Sequence, residues 1–221
     1  MLEFALKCID SWHKYMPGYE YRLWNEDSFD VNRMPYTSEA YQAHKYAFVS
    51  DVVRLKALSE YGGIYFDVDF EVYKSFDDLL DYHAFAGFEG SKYNPVMMGV
   101  LGSEPGGEWV TDQLRAYSGR HFIQDGKEDL TTNVMFVTER MMKEGFVPDG
   151  REQDFKDLHV FPVDYFCPRL TSGEYLRTEN TYCESKGGSS WAPTTFKGRL
   201  LSLFSPEFRT GLIKLKRRII G

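Results

Sequence analysis

The chain has only three cysteines, Cys8, Cys167 and Cys183, odd in number and widely spaced. They form neither a disulfide framework nor a zinc pattern, which suits a reducing compartment. Nowhere do about 18 apolar residues run together, so no membrane-spanning helix is expected. The start, Met1-Leu2-Glu3-Phe4-Ala5-Leu6, lacks the basic region and long apolar stretch of a signal peptide. The histidines, His13, His44, His83, His121 and His159, are scattered without ligand spacing. Basic charge is short as well. A formal net charge of -7 argues against general binding to nucleic acid. A cytoplasmic protein is the expectation.

What is present fits one soluble domain spanning residues 1–221. Hydrophobic residues at 43% and charged residues at 27% give enough apolar mass for a core and too little charge excess for disorder. Helical spacing runs from Glu3 to Tyr15, and Tyr19 to Trp24 alternates like a strand. A long helix is expected from about Ser38 to Tyr61, stopped by Gly62-Gly63, with a strand following at Ile64–Val68. Further on, Ser75–Leu80 reads as a short helix, Ala84–Phe88 as a strand, Glu108–Tyr117 and Thr132–Glu144 as helices, and His159–Val163 as a strand. Residues 171–193 turn polar and Gly/Ser-rich, as in a mobile loop. Alternating helices and strands imply an α/β fold with a mixed sheet.

The most informative stretch is Ser50 to Glu71. At about 100° per residue, Lys45, Lys56 and Glu60 share the solvent side of the long helix. Asp51 and Arg54 fall opposite, among Ala47, Leu55 and Leu58. Buried charges are expensive unless paired or used. Either the two form an ion pair that braces the helix, or they reach a polar cavity and hold a hydroxyl-rich ligand.

In the following strand Ile64, Phe66 and Val68 alternate with Tyr65, Asp67 and Asp69. Two carboxylates are therefore expected on one face, about 6–7 Å apart along the chain. Ligands of open α/β sheets gather beyond the carboxyl ends of strands. Paired acidic oxygens there suit a hard cation, Mn²⁺ or Mg²⁺, with diphosphate oxygens and water completing its shell. The alternative is a solvated strand end.

Ala47-Phe48-Val49-Ser50-Asp51-Val52-Val53-Arg54-Leu55 and Tyr61-Gly62-Gly63-Ile64-Tyr65-Phe66-Asp67-Val68-Asp69-Phe70-Glu71 closely resemble glycosyltransferase family 32. These are DXD-containing proteins of capsular polysaccharide synthesis and yeast mannosyl transfer. The resemblance extends to Lys7–Trp12, Trp24–Asp27, Phe85–Glu89, Asn180–Tyr182 and Ser190-Trp191. It implies a GT-A fold and transfer from a nucleotide sugar, a UDP-sugar favoured, to a glycan or lipid-linked acceptor with retained configuration. By resemblance Asp51 and Arg54 hold the donor sugar, Tyr65 lies near the nucleotide, Asp67 near ribose and sugar, and Asp69 on the metal. No general base is implied, because the departing phosphate oxygen can deprotonate the acceptor. Ser190 and Trp191 would sit on a loop closing over the diphosphate. Asn133 lies where relatives place substrate contacts, and also where a helix start is expected.

Two departures stand out. Relatives begin with a further strand that helps hold the base, and this chain starts just after it. Relatives also carry histidines before the Ser-Trp pair, whereas this chain has Cys183-Glu184-Ser185-Lys186, where Glu184 or Ser185 could substitute at the metal. The segment 204–221 mixes apolar and basic residues. It reads either as a basic amphipathic helix on the inner face of a membrane or as a terminal helix packed on the domain. Two rival functions remain: a degenerate sugar-binding or scaffold homologue, and a phosphatase using Asp67 as nucleophile.

Overall fold

The computed structural model describes residues 3–91, 93–170 and 172–187 and the backbone of residues 210–215. Its elements begin with α1 (Glu3–Tyr15), β1 (Tyr19–Leu23), α2 (Pro35–Gln42), α3 (Tyr46–Tyr61), β2 (Gly63–Asp67) and β3 (Phe70–Val72). There follow β4 (Ala84–Gly87), β5 (Val100–Ser103), α4 (Glu108–Ala116), β6 (Ile123–Gln124), β7 (Lys127–Glu128) and α5 (Asn133–Lys143). The last are β8 (Gln153–Phe155), β9 (Leu158–Phe161), α6 (Val163–Phe166), β10 (Cys183–Ser185) and β11 (Thr210–Leu215). The α/β class with a mixed central sheet flanked by helices is as expected.

The seven-stranded sheet has the order β1-β11-β2-β5-β4-β9-β8. Both β1 and β2 run antiparallel to β11, so they are parallel to each other. Likewise β4 opposes β5, which opposes β2, and β9 runs parallel to β4. The carboxyl ends of β1, β2, β4 and β9 therefore share one edge of the sheet, and Asp67 lies on it. That is the edge where ligands of such sheets gather.

Alternation along β2 sorts its side chains into two cores. Tyr65 faces the helical layer of α2, α3, α4 and α5, with Tyr36, Val52, Leu55, Trp109 and Val137. Ile64 and Phe66 face the opposite layer, with Trp12 of α1 and Phe166 of α6. Helix α1 also fixes the chain just beyond the acidic motif. Trp12 Nε1 donates to the Phe70 carbonyl at 2.7 Å, and the Val72 amide donates to Ser11 Oγ at 2.9 Å.

Gly62 ends α3 at a φ of 64°, and a Cβ there would stand 2.6 Å from Pro105 Cδ. The expected stop is thus enforced by backbone sign and by close packing.

Several boundaries differ from the sequence expectation. The long helix is two helices, broken after Gln42. His44 takes a φ of 57° and the Lys45 amide closes on the Ala40 carbonyl at 2.8 Å. This helix termination uses no glycine, so composition does not announce it. Helix α2 starts earlier than Ser38, at Pro35, whose ring suits the first helical position. Strand β2 ends at Asp67, and Val68-Asp69 turn the chain into β3. Asp67 and Asp69 thus straddle a strand end and a turn rather than lining one strand face.

The stretch 171–193 is not open throughout. Within it Thr181, Tyr182, Cys183 and Glu184 are buried, and β10 pairs antiparallel with β3. Cys183, Glu184 and Ser185 pair with Val72, Glu71 and Phe70 to form this second small sheet. The helical reading of the tail is corrected over residues 210–215, while residues 204–209 and 216–221 lie outside the described residues. Residues 210–215 form a strand filling the slot between β1 and β2. Two strand edges flanking a one-strand gap offer a full ladder of backbone partners, which no surface helix supplies. No helix among the described residues is long and apolar enough to cross a membrane.

Candidate functional site

Helix α3 carries Asp51 and Arg54 inward, at 7% and 5% exposure. They pair at 3.0 Å. Arg54 is committed through nearly every donor: Nε to the Ser50 carbonyl (3.2 Å), Nη1 to the Met98 carbonyl (2.6 Å) and Nη2 to Ser50 Oγ (3.1 Å). Its Nη1 also lies 3.5 Å from Asp67 Oδ2, so one guanidinium bridges the helix and the strand end. Beneath it, the Tyr65 ring centroid lies 4.8 Å from the guanidinium carbon, and the Tyr65 hydroxyl donates to Asp67 Oδ1. Tyr65 is buried, with its ring against Arg54 and its hydroxyl on Asp67.

Asp69 is held from the other side. Ser185 Oγ donates to Asp69 Oδ2 at 2.9 Å, and the Lys186 amide donates to the Asp69 carbonyl at 2.7 Å. A Cβ on Gly187 would stand 2.0 Å from Asp69 Oδ2, so only glycine lets the backbone come this close. Ser185, Lys186 and Gly187 together clasp the second aspartate. This clasp depends on the β3–β10 pairing and has no sequence signature of its own.

The electrostatics leave a deficit of positive charge. Burial pushes Asp51 up to about 7, with Arg54 offsetting only part of the effect and Asp67 adding to it. Burial and the neighbouring Asp67 push Asp69 up to about 6, against the Ser185 hydrogen bond. Asp51 and Asp67 thus share the Arg54 guanidinium, Arg120 adds a weaker effect on Asp51, and Asp69 stands beside Asp67 with no ion pair to Arg54. A divalent cation would offset this excess of negative charge, and hard carboxylate oxygens are the donors Mn²⁺ or Mg²⁺ prefers. Among the described residues no three metal-capable side chains converge, so water and ligand oxygens must complete any shell.

Glu184 is placed differently from its expected role at the metal. It is buried, its oxygens engaged by Lys186 and by the Tyr175 hydroxyl. Burial would raise its carboxyl, but Lys186 and Tyr175 hold it below the ordinary range. Lys186 also pairs with Glu71 at 3.0 Å. Glu184 therefore secures the clasp through Lys186, and its neighbour Ser185 is the residue that touches Asp69. Asn133 is the first residue of α5 and is buried. Thr132 precedes it without a side-chain cap. Ser190 and Trp191 lie outside the described residues.

Residues 4–86 match the family described as a glycosyltransferase sugar-binding region containing a DXD motif. Over 81 residues the chain is 38% identical to inositol phosphoceramide mannosyltransferase 3 of Schizosaccharomyces pombe, covering 35% of this chain and 22% of that protein. It is 34% and 32% identical over 105 residues to the mannosyl phosphorylinositol ceramide synthases CSH1 and SUR1 of Saccharomyces cerevisiae. Those matches cover 45% of this chain and 26% and 25% of the two synthases. The matched parts are thus about a quarter of each curated relative's length. No solved structure gives a significant match. The family match runs from α1 into β4, over less than half of the chain, and takes in Asp51, Arg54, Tyr65, Asp67 and Asp69, so this part of the chain is similar to the DXD-containing glycosyltransferases of the family 32 type.

Proposed function

We propose that the chain transfers a hexosyl group from a nucleotide sugar, with a divalent cation at Asp69 and Asp67 and with retention of configuration. The observation that carries this reading is the shared guanidinium. Arg54 joins Asp51 on α3 to Asp67 at the end of β2, beside an Asp69 pushed up by burial and by Asp67. A cation bound there supplies charge that offsets the donor diphosphate and stabilises it as the glycosidic bond breaks.

The chain's own residues have distinct tasks. Asp51 accepts hydrogen bonds from sugar hydroxyls while Arg54 keeps its carboxylate oriented. Tyr65 and Arg54 fix the rotamer of Asp67, and Ser185 with the Lys186 amide fixes Asp69. The names of the relatives put a mannosyl donor and an inositol-phosphate lipid acceptor first among the substrates to try, beside UDP-hexoses and glycan acceptors. A phosphatase role for Asp67 is disfavoured, because the family match over residues 4–86 is to a glycosyltransferase region.

The test is nucleotide release from GDP-mannose and UDP-glucose, with and without Mn²⁺ and inositol phosphoceramide. Release that needs Mn²⁺ and vanishes in Asp69→Asn is expected. Metal-independent release, or release unchanged in that variant, would overturn the assignment.

A further inference from the structure

Behind the Asp51–Arg54 pair lies a second group of polar side chains that the reading above leaves unused. Tyr36 Oη, Tyr117 Oη, Arg120 Nη1 and Asn133 Nδ2 are all buried without a hydrogen-bond partner among the described residues. They come from α2, the end of α4, the segment after it, and the start of α5. The Tyr36 and Tyr117 rings meet edge to face at 5.0 Å. The Arg120 guanidinium lies 5.0 Å from the first ring centroid and 5.4 Å from the second. It also lies 4.0 Å from Phe136, one helical turn after Asn133. Asp51 is close enough to push both phenols up beyond the effect of burial.

One orphaned buried donor can be an accident of packing. Several beside a carboxylate amount to an unfilled hydrogen-bonding surface, since buried polar groups are overwhelmingly paired in folded proteins. We propose that Tyr36, Tyr117 and Arg120, with Asn133, read the hydroxyls of a neutral sugar whose near side is held by Asp51 and Arg54. They would be the specificity-determining residues of the donor site. The proposal rests on the transferase reading and adds the class of sugar.

Neutrality follows from the charges. The other terminal nitrogen of Arg120 already pairs with Asp129 at 2.6 Å, so the cradle has no spare positive charge for a uronic acid. The nearby Asp51 would repel such a carboxylate. Arg120 Nη1 and Asn133 Nδ2 can only donate, so they would meet a sugar ammonium donor to donor. Hydroxyls, which both accept and donate, satisfy all four groups. Because the four atoms are closed off from the surface, entry of the sugar requires the Tyr36–Tyr117 edge contact to open.

Calorimetry of the full chain with Mn²⁺ provides the test, using GDP-mannose, UDP-glucose, UDP-glucuronic acid, and GDP and UDP alone. The wild-type chain is expected to bind one neutral nucleotide sugar more tightly than its nucleotide, with no such gain for the uronic acid. Tyr36→Phe and Tyr117→Phe each keep the ring and remove only the hydroxyl. Each is expected to weaken the sugar's contribution by up to about tenfold while leaving binding of the bare nucleotide unchanged. Phe variants that bind the sugar nucleotide like wild type while melting higher would mean buried hydroxyls or ordered water only, and would overturn the proposal. A gain for the uronic acid would overturn the neutral assignment. If the wild type binds no nucleotide in the presence of Mn²⁺, the transferase reading itself fails, and this inference with it.

Discussion

The hydroxyl of Ser185 donates to Asp69 Oδ2 at 2.9 Å, joining β10 to the turn that carries the second aspartate of the acidic motif. These residues are more than a hundred positions apart in sequence. Through this contact the late part of the chain shapes a motif that lies wholly in its first third.

The clasp predicts a graded pair of variants. Ser185→Ala loses one hydrogen bond to a charged group, worth about 1.5–3 kcal/mol where it orients Asp69. Mn²⁺-dependent UDP binding should weaken by about tenfold or more, with a melting temperature lower by several degrees. Gly187→Ala should be worse for binding, since its Cβ would press on Asp69. Calorimetric titration of UDP with Mn²⁺ checks both. Unchanged affinity in Gly187→Ala would show that Asp69 does not depend on the clasp.

Arg54 should resist conservative replacement. Arg54→Met leaves Asp51 and Asp67 without their shared partner, and breaking a buried pair costs about 3–5 kcal/mol. Arg54→Lys restores the charge but cannot reach Met98, Ser50, Asp51 and Asp67 from one planar fork. Urea denaturation should place Lys between Met and wild type, with sugar-nucleotide binding lost in both. Full stability and binding in the Lys variant would contradict the bridging role.

The carboxylates also set a pH dependence. Asp51 and Asp69 are raised to about 7 and about 6, above their ordinary value of 3.8. A carboxyl raised in the folded state keeps its proton where the unfolded chain has already lost it. Stability should therefore fall as pH climbs from about 4 to about 7. Lys186 and Tyr175 hold Glu184 below its ordinary value, so its contribution changes only in more acid solution. Urea midpoints at about pH 5 and about pH 8 should show the loss, and Asp51→Asn should flatten it. Stability that rises across this window would refute the unbalanced cluster.

Much of the site was legible from short-range pattern. The 3.6-residue period put Asp51 and Arg54 on the inner face of α3, and Gly62 marked its end. The apolar run Ile64–Phe66 announced the strand that delivers Asp67. What stayed hidden depends on contacts distant in sequence or on backbone signs that composition does not carry. His44 breaks the helix in a left-handed conformation that a histidine does not advertise. Polar composition around residues 171–187 concealed β10, because pairing with β3 rather than apolar mass defines that strand. The tail's mixture of apolar and basic residues suits a helix in isolation, and only the gap between β1 and β2 makes residues 210–215 a strand. Glu184 looked like the acidic replacement for a missing ligand, until the fold gave it to Lys186 and put Ser185 on Asp69.

The most direct test of the central claim is a thermal-shift comparison of nucleotide sugars, each with and without Mn²⁺, on the wild-type chain and on Asp69→Asn. A ligand that binds only the folded state raises the melting point by mass action. A shift that requires both Mn²⁺ and a GDP- or UDP-sugar, and that disappears in a folded Asp69→Asn, is the predicted result. A shift of equal size without metal, or one retained by Asp69→Asn, would contradict the assignment of the cation to this pair of aspartates.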